Sequence, residues 1–485
     1  MIARLGISLT VGAFVTTYII RSLTVKDYGI YAVLYSLIGY VSVIGSLGIP
    51  AVCQRFVPEA LQQKEYSLIK QLVFRGLILR VVLSVATVCM ILLFHGPIGR
   101  LLKVDGFVGY FSIFAWGIVL SLEASLLTSV LHSLFLHKYS VIASTLYTIF
   151  RGGCVCVLLT MGLGIRGVLW AEVAAWGLWA LLQYLAYYFQ FARLHTGGEE
   201  TALPLYRYVR YGGLSSLNDI GGSILGVSTD FFIITVFLGP EAVALYAFAD
   251  RVIRIFAHVL PHVVLIDVIR PTFFTKYAES RNKQHLAAMF NLLVKIGAFC
   301  VIPLAAGMLV LGDKMIAIVF KPEYLTAKWI LWLLMAFTTI NIFAQPTGLV
   351  LQAVEQVQIN LYSKIFAIYN LVVELLVIQW FGVTGVVLVT CSAVLFKNLF
   401  CYYYAKKYAG LRIDWRSLGT IAANAVIMML VLWPLRQFVD TFVSLSAVVV
   451  VGMLVYLVSS WYNKAFNSQE RGYINRIVGW PVCGF

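Results

Sequence analysis

Long uninterrupted apolar runs constrain this chain more than any other feature. Hydrophobic residues make up 61% of its 485 positions, charged residues only 12%, and the mean hydropathy is +0.90. A soluble domain carries about 25% charged residues, so too few charges are present to coat a surface that faces water. In a bilayer, only helices and closed barrels satisfy their own backbone groups. Barrel strands would alternate apolar and polar residues, and these runs do not, so they predict helices.

The lengths of the runs predict an all-α polytopic membrane protein. A spanning helix requires about 20 mostly apolar residues, and fourteen segments meet that requirement. The short turns at "MGLGI" and "FGVTG" leave a count of twelve or thirteen open. The predicted spans lie near residues 3–20, 30–50, 73–94, 107–131, 140–160, 163–190, 212–238, 242–267, 291–311, 327–350, 361–381, 383–404, 418–435 and 442–462.

Basic residues predict the orientation of these spans. With the N-terminus in the cytoplasm, the inner connections and the C-terminal tail hold most of the Lys and Arg, for example Lys406, Lys407, Arg412 and Arg416. This positive-inside bias places both termini in the cytoplasm, and two termini on one side require an even number of spans. Inner loops beside anionic lipid explain the net charge of +15, so no nucleic-acid partner is expected.

Cysteines and the N-terminus give no sign of processing or metal binding. Cys154 and Cys156 are two residues apart on a predicted helix and face different directions. We interpret the eight cysteines as small apolar fillers and expect no metal and no cofactor. The first apolar run has no A-x-A-like exit, so it is expected to be a retained span rather than a cleaved signal peptide.

The two halves of the chain carry a weak internal repeat. When Leu23 is aligned with Leu238, Tyr31 falls on Tyr246 and Arg55 falls on Arg270. Paired homologous bundles are a common way to build a secondary transporter. We therefore predict an N-terminal helical lobe, a cytoplasmic linker, a C-terminal lobe, and a final pair of spans with a short tail, at residues 1–191, 192–211, 212–404 and 405–485.

Three stretches resemble signature turns of a known family. They read "RSLTVKDYGIYA", "LGIPAVCQRFVPE" and "FLGPEAVALYAFADRV". The family turns are similar to R-x-L-x-x-x-x-YG-x-YA, to an LG followed a few residues later by R-x-x-PE, and to LGPEAVGLYA-x-A. The chain thus resembles the polysaccharide transporter family, the Wzx-type flippases of the MATE-related MOP superfamily. Val243 and Ala244 stand where the family often has a glycine before Leu-Tyr.

The resemblance implies fourteen helices in two pseudo-symmetric bundles that open alternately to the two sides of the membrane. It implies a cargo, a polyprenyl-diphosphate-linked oligosaccharide moved from the cytoplasmic to the outer leaflet of the cell inner (plasma) membrane. The product would be O-antigen, capsule or exopolysaccharide. Membrane lipid and the polysaccharide polymerase and chain-length machinery are the further partners it implies. A polar cavity would remove the cost of several kcal/mol for each unbonded hydroxyl in hydrocarbon.

The eighth predicted span carries the strongest candidate for substrate binding. Arg251, Arg254, His258 and His262 follow a spacing that places them on one helix face. We predict that this row lines a central cavity and that its arginines bind the diphosphate, since a guanidinium fits phosphate oxygens. Asp250 is four residues before Arg254 and can pair with it. The alternative is an interfacial cluster at the outer end of the span.

Acidic residues in the seventh and eighth spans are candidates for coupling to H⁺ or Na⁺. Asp219 and Asp230 are eleven residues apart and would share a face of one helix, and Asp250 is the third candidate. Gly226 between the first two would allow bending. The plainer interpretation places Asp230 near the outer end or in a salt bridge.

Other charged residues in the spans have two interpretations each. Arg151 is either a substrate contact or part of a helix-to-helix salt bridge with Glu123 or Glu172. Arg55 and Arg270 could receive the diphosphate on the cytoplasmic side, or they only follow the positive-inside bias. Glu374 and Lys397, on the eleventh and twelfth spans, are predicted to form a structural pair.

Enzyme functions fit the sequence poorly. No G-x-x-x-x-G-K-[ST] phosphate loop is present. A membrane polysaccharide polymerase or a lipid-sugar glycosyltransferase would need catalytic groups in a sizeable outer loop, and the largest predicted outer segment, near 312–326, is short. Among transporters, a MATE-type multidrug or ion antiporter and a lipid II flippase remain alternatives.

Overall fold

The computed structural model shows a helical protein made of two compact units, Met1–Ala247 and Phe248–Phe485. No strand occurs in the part of the chain that it describes, which confirms the all-α prediction. This division does not test the predicted boundaries of the two lobes, the linker and the final pair of spans, which stay predictions. The described residues are 2–193, 205–224, 226–259, 283–356, 358–468, 470–472 and 475.

The first unit is built around a bundle in which α6 packs on α8 and α8 packs on α7. The helix α2 contacts α4, α9 and α10. The helices are α1 Ile2–Ser22, α2 Val25–Ser46, α3 Ile49–Gln62, α4 Tyr66–Leu93, α5 His95–Leu101, α6 Phe107–Ser133, α7 His137–Thr160, α8 Gly164–Tyr187, α9 Leu205–Ile224 and α10 Val227–Leu238. A π-helical turn, Tyr188–Ala192, extends α8, and the next helix, α11 Pro240–Val259, continues past the division.

The second unit is organised around a long helix, α12, which contacts α13, α17 and α18. Its core includes the fully buried Phe290, Val350 and Leu411. The helices are α12 Lys283–Val319, α13 Lys328–Asn341, α14 Ala344–Ala353, α15 Gln358–Tyr362, α16 Ile365–Ala409, α17 Trp415–Leu435 and α18 Phe442–Asn463.

The helix α16 contains a hairpin. Gly382 has φ 57° and ψ −145°, a conformation that only glycine adopts readily, and it reverses the chain direction. The side chains on its two arms face each other, with Tyr369 Oη 3.1 Å from Ser392 Oγ. The turn predicted at "FGVTG" is therefore present, and the two spans on either side of it form the arms.

Length and composition alone identify ten spanning helices among the described residues, so the predicted count of fourteen is not confirmed. One of the ten, Gln358–Ala409, includes both arms of the hairpin. The predicted span 212–238 is divided between α9 and α10, and the span 327–350 between α13 and α14. The end of the predicted span 242–267 lies outside the described residues.

The distribution of side chains matches a lipid solvent. Large apolar side chains point outward, and Trp380 is 83% exposed, Leu93 79% and Val443 77%. Charged side chains lie inside, with Arg80 1% exposed and Glu172 fully buried. Charges inside spans are rare and usually face the bundle interior, so these buried groups are the natural places to search for function.

Candidate functional site

The first three residues of the predicted row on the eighth span, Arg251, Arg254 and His258, lie on α11. Arg254 Nε lies 2.6 Å from Asp250 Oδ2, so the predicted i, i+4 ion pair is confirmed. The Arg254 side chain is 49% exposed and can still reach a further partner. Arg251 is partly buried one turn earlier on the same helix. The side chain of His258, all of His262 and all of Arg270 lie outside the described residues.

The prediction that Asp219 and Asp230 of the seventh span share one helix face is wrong. The prediction needs one continuous helix, but Gly226 has extended backbone, φ −88° and ψ 155°, between α9 and α10. Asp219 is exposed on α9 and Asp230 is fully buried in the first turn of α10. Tyr246 Oη donates a hydrogen bond of 2.5 Å to Asp230 Oδ2. Their proposed role in ion coupling remains a prediction.

A closed ion pair joins α7 and α8 within the first unit. Arg151 Nη2 lies 2.6 Å from Glu172 Oε1, and Arg151 Nε donates to Glu172 Oε2 at 2.9 Å. Tyr31 on α2 donates to Glu172 Oε1 at 2.7 Å. The arginine side chain is only 15% exposed and the glutamate is fully buried. The helix-to-helix salt bridge predicted for Arg151 is therefore confirmed, and its role as a substrate contact stays a prediction.

A cluster of aromatic rings continues from Tyr31, whose ring centroid lies 5.7 Å from that of Tyr35. Tyr35 lies against Trp176 with ring centroids 5.9 Å apart, and Phe114 meets Trp176 edge-on at 5.3 Å. The cluster therefore links α2, α6 and α8, and the Tyr31 hydroxyl connects it to the ion pair.

A second arginine and glutamate lie inside the same unit, on α4 and α6, and form no direct salt bridge. Arg80 Nη2 donates to Ser125 Oγ at 3.1 Å, and its Nε and Nη1 are buried without a hydrogen-bond partner among the described residues. Both carboxylate oxygens of Glu123 are likewise buried and unbonded there. Buried polar groups normally have partners, so these two side chains keep donors and acceptors that the described residues do not satisfy.

In the middle of α3, Arg55 lies in an exposed charged cluster. Arg55 Nη1 is 3.3 Å from Glu59 Oε2, and Arg207 from α9 is 3.0 Å from Glu59 Oε1. Arg207 also stacks over the ring of Phe56 at 4.7 Å. Exposed pairs of this kind contribute little to stability. Both arginine side chains are about half exposed and so remain accessible to a solute. The predicted contact between Arg55 and a diphosphate stays a prediction.

The predicted pair of Glu374 and Lys397 is wrong. The hairpin at Gly382 places Thr390 opposite Glu374, and Thr390 Oγ1 donates to Glu374 Oε1 at 2.8 Å. Asn370 Nδ2 donates to the same oxygen at 2.8 Å. Lys397 lies about two helical turns further along the second arm and instead lines a cavity with Lys364.

Two of the motif stretches meet in the first unit. A Cβ atom on Gly29, in "RSLTVKDYGIYA", would lie 1.9 Å from the carbonyl oxygen of Pro240, in "FLGPEAVALYAFADRV". Only glycine allows so close an approach of two backbones. The helix α2 itself begins at Thr24, whose hydroxyl accepts from the Asp27 amide at 3.1 Å. The motifs therefore fix a helix contact, which explains why they identify a fold better than a substrate.

Sequence reasoning missed Arg80, although a signal was available. It is the only charge in the run "GLILRVVLSVATVCMILL", and a charge in such a run usually faces the bundle interior. The bond between Tyr246 and Asp230 could not be foreseen, because it depends on the break at Gly226.

The family is settled by comparison with known sequences. A family model described as "Polysaccharide biosynthesis protein" matches residues 19–329, more than half of the chain. The chain belongs to this family. It is also 22% identical over 454 residues to the probable low-salt glycan biosynthesis flippase Agl15 of Haloferax volcanii, a match that covers 91% of this chain and 90% of that protein.

Solved structures show the same fold at low identity. The lipid II flippase MurJ in an inward closed conformation has a TM-score of 0.66 at 14% identity, covering 92% of this chain and 97% of that chain. An inward-facing multidrug resistance MATE family transporter of the MOP superfamily has a TM-score of 0.68 at 14% identity, covering 84% of this chain and 98% of that chain. The expected MOP fold is confirmed.

Proposed function

We propose that the protein is a flippase that moves a polyprenyl-diphosphate-linked oligosaccharide from the cytoplasmic to the outer leaflet for surface polysaccharide synthesis. The observation that carries this proposal is the similarity to a probable glycan biosynthesis flippase along 91% of the chain. Membership of the polysaccharide biosynthesis family points to the same class of cargo. The protein would lie in the plasma membrane with both termini in the cytoplasm, as its basic residues predict.

The residues proposed to bind the diphosphate are Arg251 and Arg254. A guanidinium is always charged and donates two parallel hydrogen bonds to phosphate oxygens. The half-exposed Arg254 side chain keeps donors beyond the one that Asp250 accepts. Alternating access of the two lobes is the proposed mechanism, with Asp219, Asp230 and Asp250 as the proposed coupling carboxylates.

The test begins with cells that lack the gene. The proposal expects complete polyprenyl-linked repeat units to accumulate in the inner leaflet and surface polysaccharide to be lost. Arg251→Ala together with Arg254→Ala should reproduce that loss at normal protein levels. The matched control is Arg100→Ala with Arg166→Ala, which removes the same charge from two exposed positions and should leave polysaccharide unchanged. Normal polysaccharide in the Arg251 and Arg254 variant would remove these residues from the site.

A drug or ion antiporter is the second candidate, and the likeness to the MATE transporter favours it. It predicts a normal pool of polyprenyl-linked sugar and altered drug tolerance in the deletion strain. Accumulation of lipid II instead of a polysaccharide repeat unit would indicate a lipid II flippase.

A further inference from the structure

A polar cavity lies in the second unit, apart from the residues proposed above for substrate binding and ion coupling. Its volume is about 220 Å³, and it is lined by α14, by α15 and the residues that follow it, and by the second arm of α16. This space is far larger than one buried water requires. Its polar lining consists of Thr347, Asn360, Ser363, Lys364, Lys397 and Asn398.

The charged side chains of this cavity are basic. Among the described residues, Lys364 and Lys397 line it and no acidic side chain does. Neither lysine forms an ion pair with any described residue, whereas Lys295 in the same unit lies 2.7 Å from Asp414 and 2.9 Å from Glu470. Two ammonium groups that line one cavity repel each other, and a bound anion would relieve that repulsion.

Most of the neutral polar side chains that line the cavity already donate hydrogen bonds to other groups of the protein. Ser363 Oγ already donates to the carbonyl of Asn360 at 2.8 Å, and Thr347 Oγ1 to that of Phe343 at 2.7 Å. Asn398 Nδ2 donates to Asn341 Oδ1 at 2.9 Å. These bonds hold the walls in place. Asn360 Nδ2 has no partner in the described part of the chain, so it joins the two ammonium groups as an available donor.

We propose that this cavity binds a phosphate group, supplied by the headgroup of a membrane lipid. Lysine binds phosphate as a point charge, and an amide N–H adds a directed hydrogen bond to a phosphate oxygen. Exposed apolar side chains follow Lys364 at the start of α16, where Ile365 is 64% and Ile368 63% exposed. That surface suits an acyl or isoprenoid chain, which is why a lipid rather than a free anion is the proposed source.

The experiment measures thermal unfolding of the full chain in two kinds of vesicle. One kind is phosphatidylcholine alone, and the other is an equal mixture of phosphatidylcholine and phosphatidylglycerol. The mixture is expected to raise the unfolding midpoint of the native chain. Lys364→Gln with Lys397→Gln should lose that shift, and phosphatidylglycerol retained on the purified variant should fall about tenfold, as loss of charge-assisted hydrogen bonds predicts.

Two comparisons make the result decisive. Lys406→Gln with Lys407→Gln removes the same charge from exposed positions on the same helix, outside the cavity, and should keep the shift. Inorganic pyrophosphate added to phosphatidylcholine vesicles tests the free anion. A shift with pyrophosphate, lost in the cavity variant, would keep the phosphate site and overturn the lipid source. No shift with either probe, or equal shifts in both variants, would overturn the site. Lys364→Gln alone gives the same readout if the double variant fails to fold.

Discussion

Two arginine–glutamate pairs lie inside the first unit and differ in one respect. Arg151 and Glu172 are in direct contact, and Tyr31 completes their hydrogen bonds. Arg80 is also buried, at 1% exposed, but two of its guanidinium nitrogens and both carboxylate oxygens of Glu123 are buried without partners among the described residues. The same two residue types on neighbouring helices thus give a closed pair in one place and an open pair in the other.

The difference separates a pair whose hydrogen bonds are all made within the protein from a pair that can still form new ones. A buried charge is tolerated when its partner and its hydrogen bonds are in place, and it is costly when they are not. The closed pair has little to gain from a ligand. The open pair keeps donors and acceptors that can still form hydrogen bonds with water or an ion.

The largest expected effect is on the closed pair. Arg151→Ala should lower the free energy of unfolding by about 3–5 kcal/mol, because it leaves Glu172 buried without its counter-charge. Reversible unfolding in detergent measures this. Arg166→Ala, an exposed arginine at the start of α8, is the control and should have almost no effect. Similar losses in the two variants would contradict the closed pair.

The open pair should respond much less. Glu123→Gln is expected to change the free energy of unfolding by no more than about 1 kcal/mol, because a neutral amide is less costly to bury than a carboxylate without partners, and this gain offsets the lost attraction to the buried Arg80. Glu172→Gln is the matched variant and should be clearly destabilised. If the two glutamine variants lose stability equally, Glu123 is as fully bonded as Glu172 and the comparison fails.

The smallest effect tests the hydroxyl that closes the first pair. Tyr31→Phe should cost about 0.6 kcal/mol, the average for an interhelical hydrogen bond in a membrane protein. Tyr246→Phe removes the hydroxyl at the repeat-related position, where the acceptor is Asp230. A similar loss of stability in both variants would show that the two halves of the chain share an equivalent hydrogen bond as well as a similar sequence. No loss in either would show that these hydroxyls do not contribute to stability.

The sequence predicted the helices well because hydropathy depends on each residue and its near neighbours. The predicted span 107–131 corresponds to α6, Phe107–Ser133, and the span 442–462 to α18, Phe442–Asn463. Pairing between helices depends on register, which hydropathy does not encode. The hairpin at Gly382 therefore gave Glu374 a different partner from the one predicted.

The candidate site was only partly predictable for the same reason. The i, i+4 pair of Asp250 and Arg254 lies within one helix turn and follows from spacing alone. The common face of Asp219 and Asp230 failed, because a single extended residue at Gly226 interrupts the helix. The lysine cavity needs three chain segments that are distant in sequence, and no local pattern brings them together.

The contact between Gly29 and Pro240 limits how members of this family can be recombined. The helix α2 also packs on α9 and α10, so a chimera spliced within 192–211 would build this interface from side chains of two different parents. A splice after Ala247 would keep that interface with one parent. Functional hybrids should therefore come from the later junction, even though the hydrophilic segment looks like the easier place to cut.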